Sequence, residues 1–353
     1  MLSYLSPYFP VLSVFILTYL IVLLFTKTGL GVYFTDAAGG KKLHYTPVPA
    51  IGGIAIFIGV VLTTAFFYPQ FLTSESYFLI GLTLMFLLGV TDDFRPLGWK
   101  LKLILQVFII VFTVIYADLR LETVMLNDRV FLMDYTFSVI LSVMLLVAGT
   151  NAFNFIDGID GLASLVFLTC IFGVLWFLTP FFNPFLYVVC ASVFAFRLFN
   201  NAPAQIFLGD AGSLVLGFLC SMMLIVFCEA DLSTTNFRLE TYAQRLPVAI
   251  ALFWYPIFDT LRVFAVRLMA GKSLFERDKR HSYSLLTRFG MGARSIGLLV
   301  FSFTLIQVFA AVYLVPLLGL IGFFSIQFLV WLGIHYYLHR LSNQYISSRS
   351  KLF

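Results

Sequence analysis

Long apolar runs alternate with short polar segments along the chain. The runs occupy 10–26, 51–68, 77–91, 103–117, 135–149, 161–179, 182–199, 213–228, 246–265, 296–313 and 316–336. As helices, runs of this length cross about 30 Å of hydrocarbon. The pattern predicts an all-α polytopic membrane protein of about eleven transmembrane helices, one domain over 1–353, with a tight turn near 314. The connections are unequal. Those at 69–76, 118–134 and 229–245 read as ordinary solvated loops, whereas 27–50, 91–102, 150–160, 200–212 and 266–295 hold nearly all of the unusual polar residues. Given eleven crossings, these five segments share one side of the membrane.

Charge placement says which side. Of the 22 Lys and Arg, all but Arg120, Arg129, Arg238 and Arg245 fall on that side, and basic residues favour the cytoplasm. The expectation is an N-terminus outside, a C-terminus in the cytoplasm and a multi-pass protein of the cell's inner, cytoplasmic membrane. The first run has no basic residue ahead of it and no small-residue cleavage pattern after it, so it reads as a retained helix.

Composition agrees: 61% of the 353 residues are hydrophobic and 11% are charged, with a mean hydropathy of +0.99, against roughly 25% charged in soluble domains. The net charge of +5 follows from basic loops facing an anionic leaflet, so no nucleic-acid partner is called for. Cys170, Cys190, Cys220 and Cys228 lie inside apolar runs without metal-ligand spacing and read as small hydrophobes.

Acidic and amide residues then stand out. In Asn151–Ser164, NAFNFIDGIDGLAS, polar residues recur at Asn151, Asn154, Asp157 and Asp160. A step of three residues turns a helix by about 300°, so a regular helix cannot aim all four at one point. Gly158 and Gly161 let the backbone break there, and irregular backbone at membrane depth must be covered by protein or line a cavity. Helix capping by Asn and Asp is the plainer reading, yet four such residues in ten exceed what capping requires.

Three further clusters share that side. Thr91–Lys102, TDDFRPLGWKLK, sets Asp92 beside Asp93 with Lys102 ten residues after Asp92; paired carboxylates suit a hard cation and its phosphates, though a solvated acidic turn would look similar. Phe207–Ser213, FLGDAGS, has Asp210 opening an apolar helix, which fits an N-cap as well as a ligand. Gly271–Arg288 is the most basic loop: His281, Arg277, Lys279, Arg280 and Arg288 form a grip for a nucleotide diphosphate or a loop that only sets topology. Its Gly-Lys-Ser lacks the first glycine of a Walker loop. His335 and His339, one turn apart, read as interfacial. Together the clusters predict a metal-assisted site for a phosphorylated substrate at the inner membrane surface.

In this order the stretches resemble the polyprenyl-phosphate N-acetylhexosamine-1-phosphate transferases. The resemblance runs from about Asp36 to Gly290 through Asp92-Asp93, Lys102, the NxxNxxDGxDGL run Asn151–Leu162, Phe207–Ser213, and the early pattern Lys42, His44, Pro47, Pro49, Gly52 and Gly53. It implies transfer of an N-acetylhexosamine 1-phosphate, GlcNAc 1-phosphate above all, from the UDP-sugar to a polyprenyl phosphate, with release of UMP, as the first membrane step of surface-polysaccharide synthesis. The cofactor implied is Mg²⁺, with Mn²⁺ as the alternative. Asp210 and Asn154 are the implied metal residues; Asp92 and Asp93 position the acceptor, one of them as a base; Asp157 and Asp160 brace the site or touch the nucleotide. Lys102, Asn151, Phe207, His281, Arg288, Lys42 and His44 are the implied substrate-binding residues. Family members usually carry HxHH where this chain has His281-Ser282-Tyr283-Ser284, which argues against the phospho-MurNAc-pentapeptide branch. An ion or solute transporter is the competing class, but it would place acids near the bilayer midplane and not at helix ends on one side. Sugar, isoprenoid length and assembly, a homodimer included, stay open.

Overall fold

A computed structural model describes residues 8–28, 48–126, 129–177, 183–230, 239, 242–271 and 281–350. The helices are α1 (Tyr8–Lys27), α2 (Gly52–Phe67), α3 (Pro69–Ser74), α4 (Ser76–Phe94), α5 (Trp99–Tyr116), α6 (Tyr135–Ile156), α7 (Leu162–Phe177), α8 (Asn183–Asn200), α9 (Gly209–Glu229), α10 (Arg245–Leu252), α11 (Trp254–Met269), α12 (Ser282–Arg288) and α13 (Ala293–Ser350). An antiparallel hairpin, β1 (Thr123–Leu126) and β2 (Arg129–Leu132), occupies part of the 118–134 segment, which the sequence pattern left as loop. Glu229 at the end of α9 anchors it, its Oε1 accepting the N–H groups of Glu122 at 2.9 Å and Thr123 at 3.0 Å.

Within the described residues every apolar run falls almost entirely in helix, although α6 and α13 extend well past their runs and 246–265 is divided between α10 and α11. By length and composition α1, α4, α5, α6, α9 and α13 are fit to cross a membrane, and α10 with α11, bent by 73° at the break between them, are fit to do so as a pair; α2, α7 and α8 are shorter apolar helices. This is an all-α polytopic membrane protein. The last two runs share α13, and the break falls at Gly319 (φ 66°), not near 314. Gln244 Nε2 donates to Val312 O at 2.7 Å, while Leu338 packs against Phe258 and against Leu285, just ahead of α13. The far end of α13 thus returns beside its start, so the chain doubles back at Gly319.

The centre of the bundle is α9, with 83% of its apolar window buried against 22% for α1. Along α1, Leu12, Ile16, Leu20 and Leu24 form an exposed stripe, and Phe108, Met144 and Leu317 project outward in the same way. Helices apolar on their outer faces as well as their inner ones belong in hydrocarbon. Small residues let the central backbones nearly touch: a Cβ on Gly53 would overlap the backbone of Gly212, and one on Gly89 would lie 2.5 Å from Ala211 Cα. Such small-residue contacts are the common currency of helix packing in lipid. Backbone bonds from Phe207 N to Pro49 O (2.8 Å), Gly52 N to Phe207 O (2.9 Å) and Gly53 N to Leu208 O (2.8 Å) then hold the start of α2 against the start of α9.

Candidate active site

The C-terminal end of α4, the first turns of α5 and α9 and the last turns of α6 meet at one place. Lys102 Nζ donates to Asp92 Oδ2 at 2.8 Å and to Asp210 Oδ1 at 2.9 Å. Asp210 Oδ1 also accepts from Asn154 Nδ2 at 2.7 Å, and the same amide reaches Ser213 Oγ at 2.7 Å. Asp92 Oδ1 accepts the N–H of Leu97 at 2.6 Å. Four sequence-predicted residues, Asp92, Lys102, Asn154 and Asp210, therefore form one contiguous network. Lys102 thus places one positive charge against both the Asp92 and the Asp210 carboxylates, which offsets their mutual repulsion.

Asp93 points elsewhere. Its two oxygens accept the N–H groups of Asp210 (2.7 Å) and Ala211 (2.9 Å), satisfying orphan donors at the positive end of α9. The capping reading of FLGDAGS is thus met from another helix: Leu208 is the N-cap residue and lacks a side-chain bond, and Asp210 sits in the first turn. Gly209 makes the close approach possible. Its φ is +75°, and a Cβ there would lie 2.8 Å from Asp93 Oδ2 and 2.9 Å from Ala50 O.

The NxxNxxDGxDGL run breaks where its glycines allow. α6 stops at Ile156, Gly161 takes φ +74°, and α7 begins at Leu162. Asn200 Oδ1 accepts the N–H of Gly161 at 3.1 Å, Arg197 bonds the Gly161 carbonyl and Ser164 Oγ, and Asp160 Oδ2 accepts the N–H of Ala204 at 3.0 Å. The turn is held from the end of α8. Asp157 caps the end of α6. Burial first, then the charges of Asp210, Asp93 and Asp160, push its carboxyl well above the ordinary range.

Asn151 turns from the network toward α5, giving its Nδ2 to Gln106 Oε1 at 2.9 Å and to Val147 O at 2.8 Å. Gln106 lies one turn beyond Lys102, fully buried, with an unpartnered Nε2. His281 stands immediately before α12, its Nδ1 2.6 Å from Asp259 Oδ2, and Asp259 Oδ1 accepts the N–H of Ser282 at 2.6 Å. The Tyr283 ring stacks on His281 at 5.4 Å, and its hydroxyl lies where a Cβ on Gly158 would be. In this way α11 and α12 reach the Asp157 turn. Phe207 flanks Asp210 through the backbone pairing with 49–52, and Arg288 is exposed at the end of α12. Lys42 and His44, with Arg277, Lys279 and Arg280, lie outside the described residues.

Gln106, Arg197, Asn200 and Asp259 are the positions that motif reading passed over. Arg197 did carry a signal, as a cation inside an otherwise apolar helix.

The donor set accepts a hard divalent ion. Among the described residues no three His, Cys, Asp or Glu side chains form a ligating cluster, but Mg²⁺ rarely takes an all-protein cage and is held by one or two carboxylates together with phosphates and water. Asp210 and Asp92 face each other, and a flip of the Asn154 amide, whose N and O are assigned from hydrogen bonding, brings an oxygen to the same point. Carboxylates interleaved with a lysine at a helix N-terminus suit a bound diphosphate.

Residues 76–228 match the model of glycosyl transferase family 4. The chain is 30% identical over 307 residues to a probable undecaprenyl-phosphate N-acetylglucosaminyl 1-phosphate transferase of Bacillus subtilis, covering 81% of this chain and 80% of that protein. It is 27% identical to an undecaprenyl-phosphate alpha-N-acetylglucosaminyl 1-phosphate transferase of Thermotoga maritima, over 72% of this chain and 73% of the relative. A decaprenyl-phosphate N-acetylglucosaminephosphotransferase of Mycobacterium leprae matches at 27%, over 77% and 74%. With the motif order intact, and with Asp92, Lys102, Asn154 and Asp210 meeting at one site, the chain belongs to glycosyl transferase family 4, the polyprenyl-phosphate N-acetylhexosamine-1-phosphate transferases.

Proposed function

We propose that this protein transfers an N-acetylhexosamine 1-phosphate, GlcNAc 1-phosphate in the first place, from its UDP conjugate to a polyprenyl phosphate at the cytoplasmic face of the inner membrane. One observation carries the reading: Lys102 bridges Asp92 and Asp210, with Asn154 bonded to the same Asp210 oxygen. The names of the relatives support the chemistry. The expected eleven crossings, with the N-terminus outside, put this cluster at the cytoplasmic boundary, where a lipid-borne phosphate and a soluble anionic donor can both reach it.

Phosphoryl transfer asks a protein mainly for in-line positioning and charge neutralisation. An oxygen of the lipid phosphate forms the new bond to the sugar-bearing phosphorus, and the bond to UMP breaks. That oxygen is already largely ionised near pH 7, since the second pKa of a phosphate monoester is about 6, so no carboxylate need remove a proton. Asp210, with Asp92 opposite and Asn154 beside it, would hold Mg²⁺ (or Mn²⁺), whose chemistry is to polarise and neutralise the diphosphate. Lys102 supplies a fixed positive charge for the same phosphates. Asp93 serves through the backbone: it holds the first turn of α9 and so places Asp210, a bracing role where the family resemblance implied acceptor positioning. Asp157 and Asp160 shape the turn beside the nucleotide, and Phe207, three residues before Asp210, flanks the same site. Gln106 fixes Asn151, and His281 and Arg288 face the donor from α12.

The test is UMP release from UDP-GlcNAc by the purified chain with undecaprenyl phosphate and Mg²⁺, run beside UDP-GalNAc and UDP-MurNAc-pentapeptide. No release from any of the three donors would end the reading, and solute flux into vesicles without UMP would favour a transporter.

A further inference from the structure

We infer that Asp259 is a positioning residue for His281, holding the imidazole by Nδ1 so that Nε2 is the nitrogen presented to the donor's phosphates. What Nε2 meets rests on the transferase reading above; the pairing itself rests on geometry. Asp259 is fully buried on α11, and both of its oxygens are engaged at 2.6 Å, one with His281 Nδ1 and the other with the backbone N–H of Ser282. Both are short bonds to a carboxylate, and Arg262 Nε stands 3.9 Å from Oδ1. An ionised carboxylate only accepts, so the proton of the short bond sits on Nδ1.

The ring is held on its faces as well. Tyr283 stacks on it at 5.4 Å with planes 9° apart, and the Phe155 ring lies 6.1 Å away. Ser282, between the two stacked residues, is fixed in turn by Tyr255, whose hydroxyl is 2.9 Å from Ser282 Oγ. Among the described residues the one hydrogen bond to the His281 ring is at Nδ1, and we assign Nε2 to the ligand. The stacked Tyr283 rests on Gly158, next to Asp157, which ties the pair to the turn that follows Asn154. One buried carboxylate thus sets both the tautomer of His281 and the backbone from which the ring projects. Groups that hold a working imidazole in this indirect way govern its function without touching substrate.

A merely structural anchor for α12 would hold the backbone and leave the ring's tautomer without consequence. Full-length protein labelled with [¹⁵N]histidine separates the two, with the His281 signal assigned from His281→Gln. The expected spectrum shows a proton on Nδ1, and Asp259→Asn shifts that signal. In the UMP-release assay Asp259→Asn lowers kcat about 10–100-fold, the usual range for outer-shell partners, and the Asp259→Asn, His281→Gln double variant is no slower than His281→Gln alone. A His281 protonated on Nε2 only in the wild-type chain overturns the inference, and so does an Asp259→Asn loss equally large in the His281→Gln background. Should Asp259→Asn fail to fold, the wild-type spectrum still decides. Should the wild-type chain release no UMP, the transferase reading falls while the spectrum continues to judge the pair.

Discussion

Lys102 and Asp210 stand 108 positions apart in the chain, and their charged groups are 2.9 Å apart. The same ammonium is 2.8 Å from Asp92, so one cation joins α4, α5 and α9. Lys102→Met removes the charge that compensates two carboxylates and, on the proposed function, the fixed cation for the donor. UMP release should fall by at least about 100-fold, the scale on which loss of one preorganised electrostatic group acts. Lys102→Arg should recover little of it, because a planar fork cannot replace a point charge between two carboxylates. Wild-type turnover in Lys102→Met would remove lysine from the mechanism.

The metal site proposed at the same cluster carries its own prediction. EDTA should abolish UMP release, and Mg²⁺ or Mn²⁺ should restore it. Asp210→Asn halves the anionic pair, so its residual activity should need higher Mg²⁺ than wild type for half-maximal rate. Asp92→Asn should slow turnover by orders of magnitude, roughly 100-fold or more. Titrating activity against Mg²⁺ for the three proteins checks this. Unchanged activity in EDTA would show that Lys102 and the helix end suffice alone.

The apolar runs marked the helices because run length and hydropathy are local properties. The glycine-flanked break in Asn151–Ser164 was legible for the same reason: Gly158 and Gly161 state it in place, and α6 does end at Ile156. What escaped reading depends on distant backbone. Nothing around Asp93 announces that it caps a helix 117 residues later, and Gln106 looks like one more polar residue in α5 until Asn151 is set beside it. Asp259 gains its partner only because α12 folds back onto α11. The hairpin break in α13 was misplaced by a few residues, since several small or helix-breaking residues between Pro316 and Gly322 could each have supplied it.

Helix packing around the site has little tolerance. A methyl group on Gly53 would fall on the backbone of Gly212, which cannot rotate away as a side chain can. Gly53→Ala should therefore cost about 3 kcal/mol, the upper part of the usual overpacking range, and should lower the melting temperature in detergent along with activity. Gly98→Ala, where a Cβ meets nothing within 4 Å, is the control and should leave the melting temperature near wild type.

Gly158 tests the link between the Asp157 turn and α12. Its Cβ would displace the Tyr283 hydroxyl, and with it the ring stacked on His281. Gly158→Ala should raise KM for UDP-GlcNAc by about ten-fold, equivalent to roughly 1.4 kcal/mol. Removing the obstructing ring as well, in the Gly158→Ala, Tyr283→Ala double variant, should cost less than the sum of the two single changes, as expected for residues in contact. Strict additivity would mean that Tyr283 does not transmit the effect.

Asp157 makes stability depend on pH. Burial and the neighbouring carboxylates of Asp210, Asp93 and Asp160 raise its pKa well above the usual value in the folded chain, whereas an unfolded chain keeps it near 3.9. Between those two values the folded form retains a proton that the unfolded form has lost. The stabilisation is full below about pH 4 and is lost as pH rises toward the folded pKa, because stability falls with pH wherever the native state binds more protons. Asp157→Asn keeps the neutral shape without the titration. In metal-free protein it should be more stable than wild type at pH 7, with the difference fading toward pH 4. Added Mg²⁺ should narrow the gap, since a cation at Asp210 offsets part of the charge that raises the Asp157 pKa. Thermal melts of both proteins across pH 4–8, with EDTA and with Mg²⁺, check each step, and parallel curves for the two proteins would mean that folding leaves the Asp157 pKa unshifted.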